Sequence, residues 1–326
     1  MRVGIAYDLK SDYISEGFTE EEAAEFDSEE TISGIEDALK ANGYRTERIG
    51  NVRSLLSLLH NGKRWDIVFN ICEGMHGIGR EAQVPAILDI YKIPYTFSDV
   101  LVNSLTLHKG LTKRVIRDLG IPTADFAVVE KESDVAKIDL PFPLFAKPVA
   151  EGTGKGINPN SKITNIKQLK EVCLDRLKRF KQPVLVETFL PGREFTVGVI
   201  GTGEESEAVG LMEVCFREQE LSKIYSYNSK ANYQELVDYT LPEKEIAEAC
   251  YKIALAAWNG LGCRDGGRID LRMDKNGIPN FIEVNPLAGL NPIHSDLPIL
   301  SRMAGIDYNE LIGRIMKSAI KRIKKK

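Results

Sequence analysis

Apolar positions along the first hundred residues recur every two residues, then every three to four, the rhythm of strands alternating with helices around a parallel sheet. Arg2 to Ala6 reads as a buried strand. A polar loop follows, and Asp27 with Glu30 three positions later predicts a capping box opening a helix that runs through Leu39 and stops at Gly43. Tyr44 to Ile49, Val52 to Leu59 and Asp66 to Ile71 continue as strand, helix and strand. Cys72-Glu73-Gly74-Met75-His76-Gly77-Ile78-Gly79 then forms a glycine-rich turn at the carboxyl end of a strand, where open α/β sheets place their ligands. Its spacing is not that of a dinucleotide fingerprint.

Beyond this the pattern changes. A helical segment from Ser104 to Leu119 ends at Gly120 and Pro122, and a domain boundary falls near its start. Pro143 to Pro148 predicts a strand with one lysine, Lys147, among apolar residues. It runs into Ala150-Glu151-Gly152-Thr153-Gly154-Lys155-Gly156-Ile157, whose glycines free backbone N–H groups to face a phosphate, although the P-loop order is absent. A plain flexible hairpin is an equal reading of that run by itself. Val184 to Glu187 is a strand, Phe189 to Gly192 a hinge, and Phe195 to Ile200 and Ala208 to Cys215 are antiparallel strands. Arg217 to Tyr239 is polar, aperiodic and long enough to serve as a lid. Amphipathic helices are predicted over Glu243 to Leu261 and Asp307 to Ile323.

Two segments between those helices carry most of the chemistry. Gly267-Arg268-Ile269-Asp270-Leu271-Arg272 and Glu283-Val284-Asn285 read as strands joined across Asp274-Lys275-Asn276-Gly277. Side chains two apart share a face, so Arg268, Asp270, Glu283 and Asn285 converge on one side if the strands pair. Such hard oxygen ligands suit Mg²⁺, with Arg268 holding an anion beside it; ordinary surface charge on an exposed hairpin is the bland alternative.

Composition narrows the classes. The chain has 326 residues, enough for two or three domains, with 43% hydrophobic and 28% charged residues. A formal charge of −4 gives no basic field, so nucleic acid is not an expected partner. The five cysteines have no C-x-x-C spacing and read as reduced thiols of a cytoplasmic protein. The start, Met1-Arg2-Val3-Gly4-Ile5-Ala6, is too short an apolar run for a signal peptide, and no run reaches membrane-spanning length.

Lys109, Lys147, the glycine loop, Glu187, Glu194, Lys230, Arg268, Asp270, Glu283 and Asn285 form an ordered series. Lysines on separate elements neutralise a polyphosphate, a carboxylate after the hinge accepts ribose hydroxyls, and an acidic pair bridges Mg²⁺ to a transferred phosphoryl group. At this point the chain resembles the ATP-grasp superfamily, and within it the D-alanine:D-alanine ligase family, over nearly its whole length. The likeness rests on Ile93-Pro94-Tyr95, Lys109, Gly120-Ile121-Pro122-Thr123, Lys147-Pro148, Glu151-Gly152-Thr153, Val186-Glu187, Gly192 to Val197, Arg268-Ile269-Asp270, Glu283-Val284-Asn285 and Ser295.

The resemblance implies a mixed α/β, three-domain architecture: a Rossmann-like parallel sheet in residues 1–103 and two α+β units, 104–186 and 187–326, enclosing ATP. It implies that Lys109, Lys147, Lys230 and the loop at Glu151 and Gly152 contact phosphates, Glu187 and the backbone of Leu190 read adenine, and Glu194 reads the ribose. Asp270, Glu283 and Asn285 would hold two Mg²⁺, with Mn²⁺ a substitute. Thr153 stands where the family has a substrate-orienting serine. Arg268 and the Gly289 backbone would stabilise an oxyanion, and Ser295 would hold the second substrate's carboxylate. Small amino or carboxylic acids are the implied partners, with dimerisation through the N-terminal domain.

The departures concern the first substrate. The family's Gly-Gly-x-Ser-x-Glu-Arg-Glu-Val-Ser element is absent, and a gapless count back from Leu39 puts Ala24 at its substrate-binding glutamate. Its His-Gly after the third strand is Glu73-Gly74, its second loop serine is Gly154, and Ala231 stands for a tyrosine. Pro286-Leu287-Ala288-Gly289 carries one extra residue before His294-Ser295. The expectation is an ATP-dependent carboxylate–amine ligase whose donor is not D-alanine, or not D-alanine alone. Glu73 would face a cationic group of that donor, with Glu25, Asp27 and Glu30 as further candidates. Rival readings are a true D-alanine:D-alanine ligase, a nucleotide-binding regulatory module without turnover, and a kinase acting on a hydroxyl.

Overall fold

The computed structural model describes residues 1–216 and 237–324, arranged around three sheets. The first is parallel and three-stranded in the order β2-β1-β3, from β1 (Arg2–Tyr7), β2 (Arg45–Gly50) and β3 (Ile67–Ile71). Its crossovers carry α1 (Lys10–Ser15), α2 (Glu29–Ala41) and α3 (Val52–His60), and α4 (Gln83–Ile90) follows the glycine-rich turn. The polar stretch after β1 is thus partly helical. The α2 cap is Ser28, whose hydroxyl accepts from the Thr31 N–H, and not Asp27. Asp27 is committed elsewhere: its backbone bridges to Leu9 and exchanges hydrogen bonds with Asp8 and Lys10, so the chain is free to turn only one residue later.

The expected helix from Ser104 to Leu119 is two helices, α5 (Val100–Leu107) and α6 (Lys109–Asp118). His108 separates them with ψ 84, and its ring accepts the Leu111 N–H. The break turns the Lys109 N–H out to Val149 O at 3.1 Å, tying the start of α6 to the central sheet.

That sheet is antiparallel, order β4-β7-β5-β6, with β4 (Phe126–Val129), β5 (Leu144–Pro148), β6 (Lys162–Ile163) and β7 (Val184–Thr188). Helix α7 (Ile166–Phe180) covers one face through Leu169, Val172 and Cys173. The third sheet, order β10-β9-β8-β11-β12, is also antiparallel: β8 (Glu194–Ile200), β9 (Glu207–Phe216), β10 (Val237–Thr240), β11 (Gly266–Met273) and β12 (Pro279–Asn285). The expected lid therefore ends early, since Val237 to Tyr239 belong to a strand; residues 217–236 lie outside the described set.

Helices α8 (Lys244–Leu261), α9 (Asp296–Met303) and α10 (Tyr308–Lys324) complete the chain. Trp258 of α8 is fully buried under the third sheet and donates its ring N–H to Gly201 O. On the other side, Leu300 of α9 and Ile312 and Ile315 of α10 share one core with Ile32 and Ile35 of α2 and Phe69 of β3. The first and last parts of the chain are thereby packed together. All five cysteines are free thiols, and among the described residues no helix is long and apolar enough to cross a membrane.

Candidate active site

The β11–β12 hairpin sets the geometry. Its register places Arg268 opposite Asn285 and Asp270 opposite Glu283. Directly opposed residues of an antiparallel pair point to the same face, so these side chains meet. A bulge after Asp270 pairs Leu271 with Phe281 and leaves Ile282 between them. Arg268 pairs with Asp270 and lies 3.6 Å from Asp296, while Asn285 donates to Asp270 Oδ2 at 3.4 Å. Burial pulls the guanidinium pKa down, but Asp270, Asp296 and Glu283 outweigh it and hold Arg268 above the ordinary arginine value.

Two buried lysines approach this face from other elements. Lys147 on β5 lies 3.4 Å from Glu283 and 3.4 Å from Glu187, and Lys109 at the start of α6 lies 3.7 Å from Glu283. Burial lowers Lys109; for Lys147 the paired carboxylates of Glu187 and Glu283 overcome burial and raise it. Glu187 on β7 is held on its other side by Lys113 at 2.6 Å, and the two ammonium groups keep it ionised despite burial. A cavity of about 850 Å³, its open mouth included, is lined by Lys147, Glu187, Leu190, Glu194, Asp270 and Glu283, with Phe145, Phe189 and Ile282 as apolar walls. A few convergent polar groups in an apolar cleft are the usual form of a small-molecule site.

A second cavity of about 650 Å³, likewise measured with its mouth, adjoins the first; Lys109 lines both. Glu25, Glu73 and Glu81 come to it from the N-terminal segment, Gly152 and Thr153 from the glycine loop, and Arg268, Asn285 and Gly289 from the third sheet and the loop after it. Thr153 has φ 48, and among the described residues its buried hydroxyl oxygen has no hydrogen-bond partner.

Residues 115–317 match the family model described as D-ala D-ala ligase C-terminus. The chain belongs to the D-alanine:D-alanine ligase family. It is 32% identical over 244 residues to the D-alanine–D-alanine ligase of Aquifex aeolicus, covering 74% of this chain and 79% of that one. With the enzyme of that name from Actinobacillus pleuropneumoniae serotype 5b the identity is 33% over 294 residues, 87% of this chain and 90% of the relative. The crystal structure of D-alanine–D-alanine ligase from Bacillus anthracis complexed with ATP superposes with a TM-score of 0.74 at 23% identity, covering 100% and 99% of the two chains. The fold is therefore ATP-grasp, and the protein is an ADP-forming ligase that makes carbon–nitrogen bonds.

Against the D-alanine:D-alanine ligase pattern, several expected residues sit apart. Ser295 starts α9 and lines neither cavity itself, but its hydroxyl lies next to Gly289 of the second one and accepts the Asn291 N–H at 3.0 Å. Lys230 and Ala231 lie outside the described residues. Ala24, where the gapless count puts the family's glutamate, lines neither cavity, and the neighbouring Glu25 lines the second. Glu25 is itself engaged: it pairs with Arg80 at 2.8 Å and accepts the Gly152 N–H at 2.5 Å. Glu30 accepts from Asn291 and, like Asp27, lines neither cavity.

Other residues of the site went unnoticed in the sequence. Lys113 follows Lys109 by one helical turn and Arg272, which pairs with Glu194 at 2.9 Å, follows Asp270 by one strand repeat, so periodicity carried a signal for both. Glu81 and Asp296 carried none, because each follows a loop whose path is set by tertiary packing.

Proposed function

We propose that this ligase activates a donor carboxylate with ATP and transfers the acyl group to the amine of an α-amino acid, and that its donor is not D-alanine, or not D-alanine alone. The observation that carries the reading is that two cavities adjoin at Lys109, with Arg268, Asp270, Glu283 and Asn285 on one hairpin face between them. A nucleotide in the first and a carboxylate in the second would meet there.

In this reading the units 1–103, 104–186 and 187–326 enclose ATP. Glu187 and the Leu190 backbone receive adenine, Glu194 the ribose, and Lys109, Lys147, Lys230 and the loop at Glu151 and Gly152 the phosphates. The opposed carboxylates of Asp270 and Glu283 suit Mg²⁺, or Mn²⁺ in its place, as a pair that leaves room for water and phosphate oxygens, and Asn285, whose amide N–H now donates to Asp270, would offer its oxygen once the amide turns. When bound, the ions neutralise phosphate charge. A donor carboxylate oxygen attacks the γ-phosphorus, the bond to the bridging oxygen breaks, and ADP leaves. The acceptor amine then attacks the acyl carbon; phosphate departs and the amine gives up its proton, leaving an amide. Arg268 and the Gly289 N–H face the oxyanion formed on the way, Thr153 orients the donor, and Ser295 holds the acceptor carboxylate.

Glu73 supports the departure from D-alanine. It brings a carboxylate to the donor cavity where the family has a histidine. The test is ADP release by the purified protein with Mg²⁺ and ATP across pooled D- and L-amino acids and carboxylic acids, with products weighed. A product equal to two pool members less one water is expected, and Glu73→Gln should raise the donor KM more than the Kd for ADP. The relatives' shared name favours a second reading, and D-alanyl-D-alanine as sole product would establish it. ATP binding without turnover in any pool would favour a regulatory module.

A further inference from the structure

Around the second cavity almost every carboxylate is answered by a cation. Glu25 has Arg80 and, at 3.5 Å, Lys155; Glu151 has Lys155 at 2.7 Å; Asp270 and Asp296 share Arg268. Glu73 and Glu81 are the exceptions. Both line the cavity, Glu81 is only 9% exposed, and among the described residues neither carboxylate has an ion pair or a hydrogen bond. From a different element, the buried hydroxyl of Thr153 has no partner among the described residues at the same cavity. Folded proteins leave a buried carboxylate bare only where a proton or a ligand cation answers it.

A donor with a single ammonium brings one positive charge to two carboxylates and leaves one negative charge unanswered. We infer that the donor is a dibasic amino acid, carrying an amine or guanidinium on its side chain besides the α-ammonium, and that its two cations meet Glu73 and Glu81. The inference rests on the ligase reading above and adds the class of donor to it. The reacting carboxylate then points away from the acidic wall toward Lys109, Arg268 and the phosphates, and Thr153 stands beside it. The Glu25 side chain is excluded from recognition because Arg80 and the Gly152 N–H already hold it.

The experiment compares ornithine, lysine and arginine with norvaline and norleucine, each in both enantiomers, as donors for the full-length protein with ATP, Mg²⁺ and a pool of α-amino acid acceptors. ADP release and product mass are the readouts. The dibasic donors should exceed the chain-matched neutral ones in kcat/KM by roughly tenfold or more, because an unpaired buried carboxylate rejects a ligand that lacks the matching cation. Glu81→Gln should shrink that preference by raising the dibasic donor's KM while the KM for ATP stays unchanged. The wild-type comparison alone decides the matter if the variant fails to fold. Amide formed from neutral donors as fast as from dibasic ones would overturn the donor class and leave the ligase standing. ATP bound with no amide from any donor would overturn both.

Discussion

At single residues, the site is governed by how buried charges are answered. Glu187 is held between Lys113 and Lys147 and is only 4% exposed, so Lys113→Met should cost about 3 kcal/mol of stability, as breaking one arm of a buried ion pair does. The KM for ATP should rise with it; an unchanged KM in a folded variant would separate Glu187 from nucleotide binding. Burial lifts the Glu81 carboxyl to about 7 against the pull of Arg80 and Lys109, with Glu25 adding to the rise and Glu73 as a further acidic neighbour. A carboxylate ionises as pH climbs, so kcat/KM for a cationic donor should increase through about pH 7, and Glu81→Gln should lack that limb. Asp27 is also pushed up to about 7, by burial and then by Asp8. Between its ordinary value of 3.8 and 7 the native state keeps a proton that the unfolded chain has released, so this group lowers stability as pH rises across that window. Asp27→Asn removes the effect, and its Tm relative to wild type should be higher at pH 8 than at pH 4; a constant difference would refute the shift.

At the level of elements, what the sequence made legible was whatever local periodicity encodes. The β11–β12 hairpin was readable because the period of two places Arg268 with Asp270, and Glu283 with Asn285, before any partner is known. The break at His108 was not, since its cause is a hydrogen bond from Lys109 to Val149, far along the chain. The Ser28 cap was missed for the same reason: the Asp8–Asp27 pairing competes for the better-looking capping residue. Glu81 lies in a short turn, Arg80–Ala82, where no repeat predicts which way a side chain points. The hairpin also explains a glycine. A Cβ on Gly267 would stand 2.5 Å from Asn285 O and 2.7 Å from the Trp258 ring, so β11 and β12 could not keep their spacing. Gly267→Ala should cost about 1–3 kcal/mol as an overpacking change. Because the displaced atoms belong to the Asn285 strand, half-saturation by Mg²⁺ should also move to higher concentration, measured by ADP release. Stability lost without any change in Mg²⁺ dependence would mean that the hairpin face tolerates the shift.

Across the whole molecule, the acidic segment after β1 does more than line the second cavity. Together with Arg80 of the turn after β3 it fastens the glycine loop of the central unit: Arg80 donates to Ala150 O at 2.9 Å and to Glu25 at 2.8 Å, and Glu25 in turn accepts the Gly152 N–H. Arg179 of α7 adds a more exposed pair with Glu21 at 2.6 Å, worth little by itself in water. The glycine loop is thus held, at the Gly152 amide, by a carboxylate of the second cavity, and opening one cavity should disturb the other. Arg80→Met tests this coupling. It keeps the packing volume roughly, removes both Arg80 hydrogen bonds, and leaves Glu25 with the Gly152 N–H and with Lys155 at 3.5 Å as its one cation. The stability loss should be about 3 kcal/mol, as for other buried pairs deprived of one partner. Hydrogen exchange should quicken at Gly152, Thr153 and Gly154 by more than the global loss accounts for, while α8 amides around Trp258 change only by the global amount. The KM for ATP and the KM for the donor should rise together, since one clasp holds parts of both sites. A donor effect with an unaltered glycine loop would instead confine Arg80 to shaping the acidic wall and leave the two cavities independent.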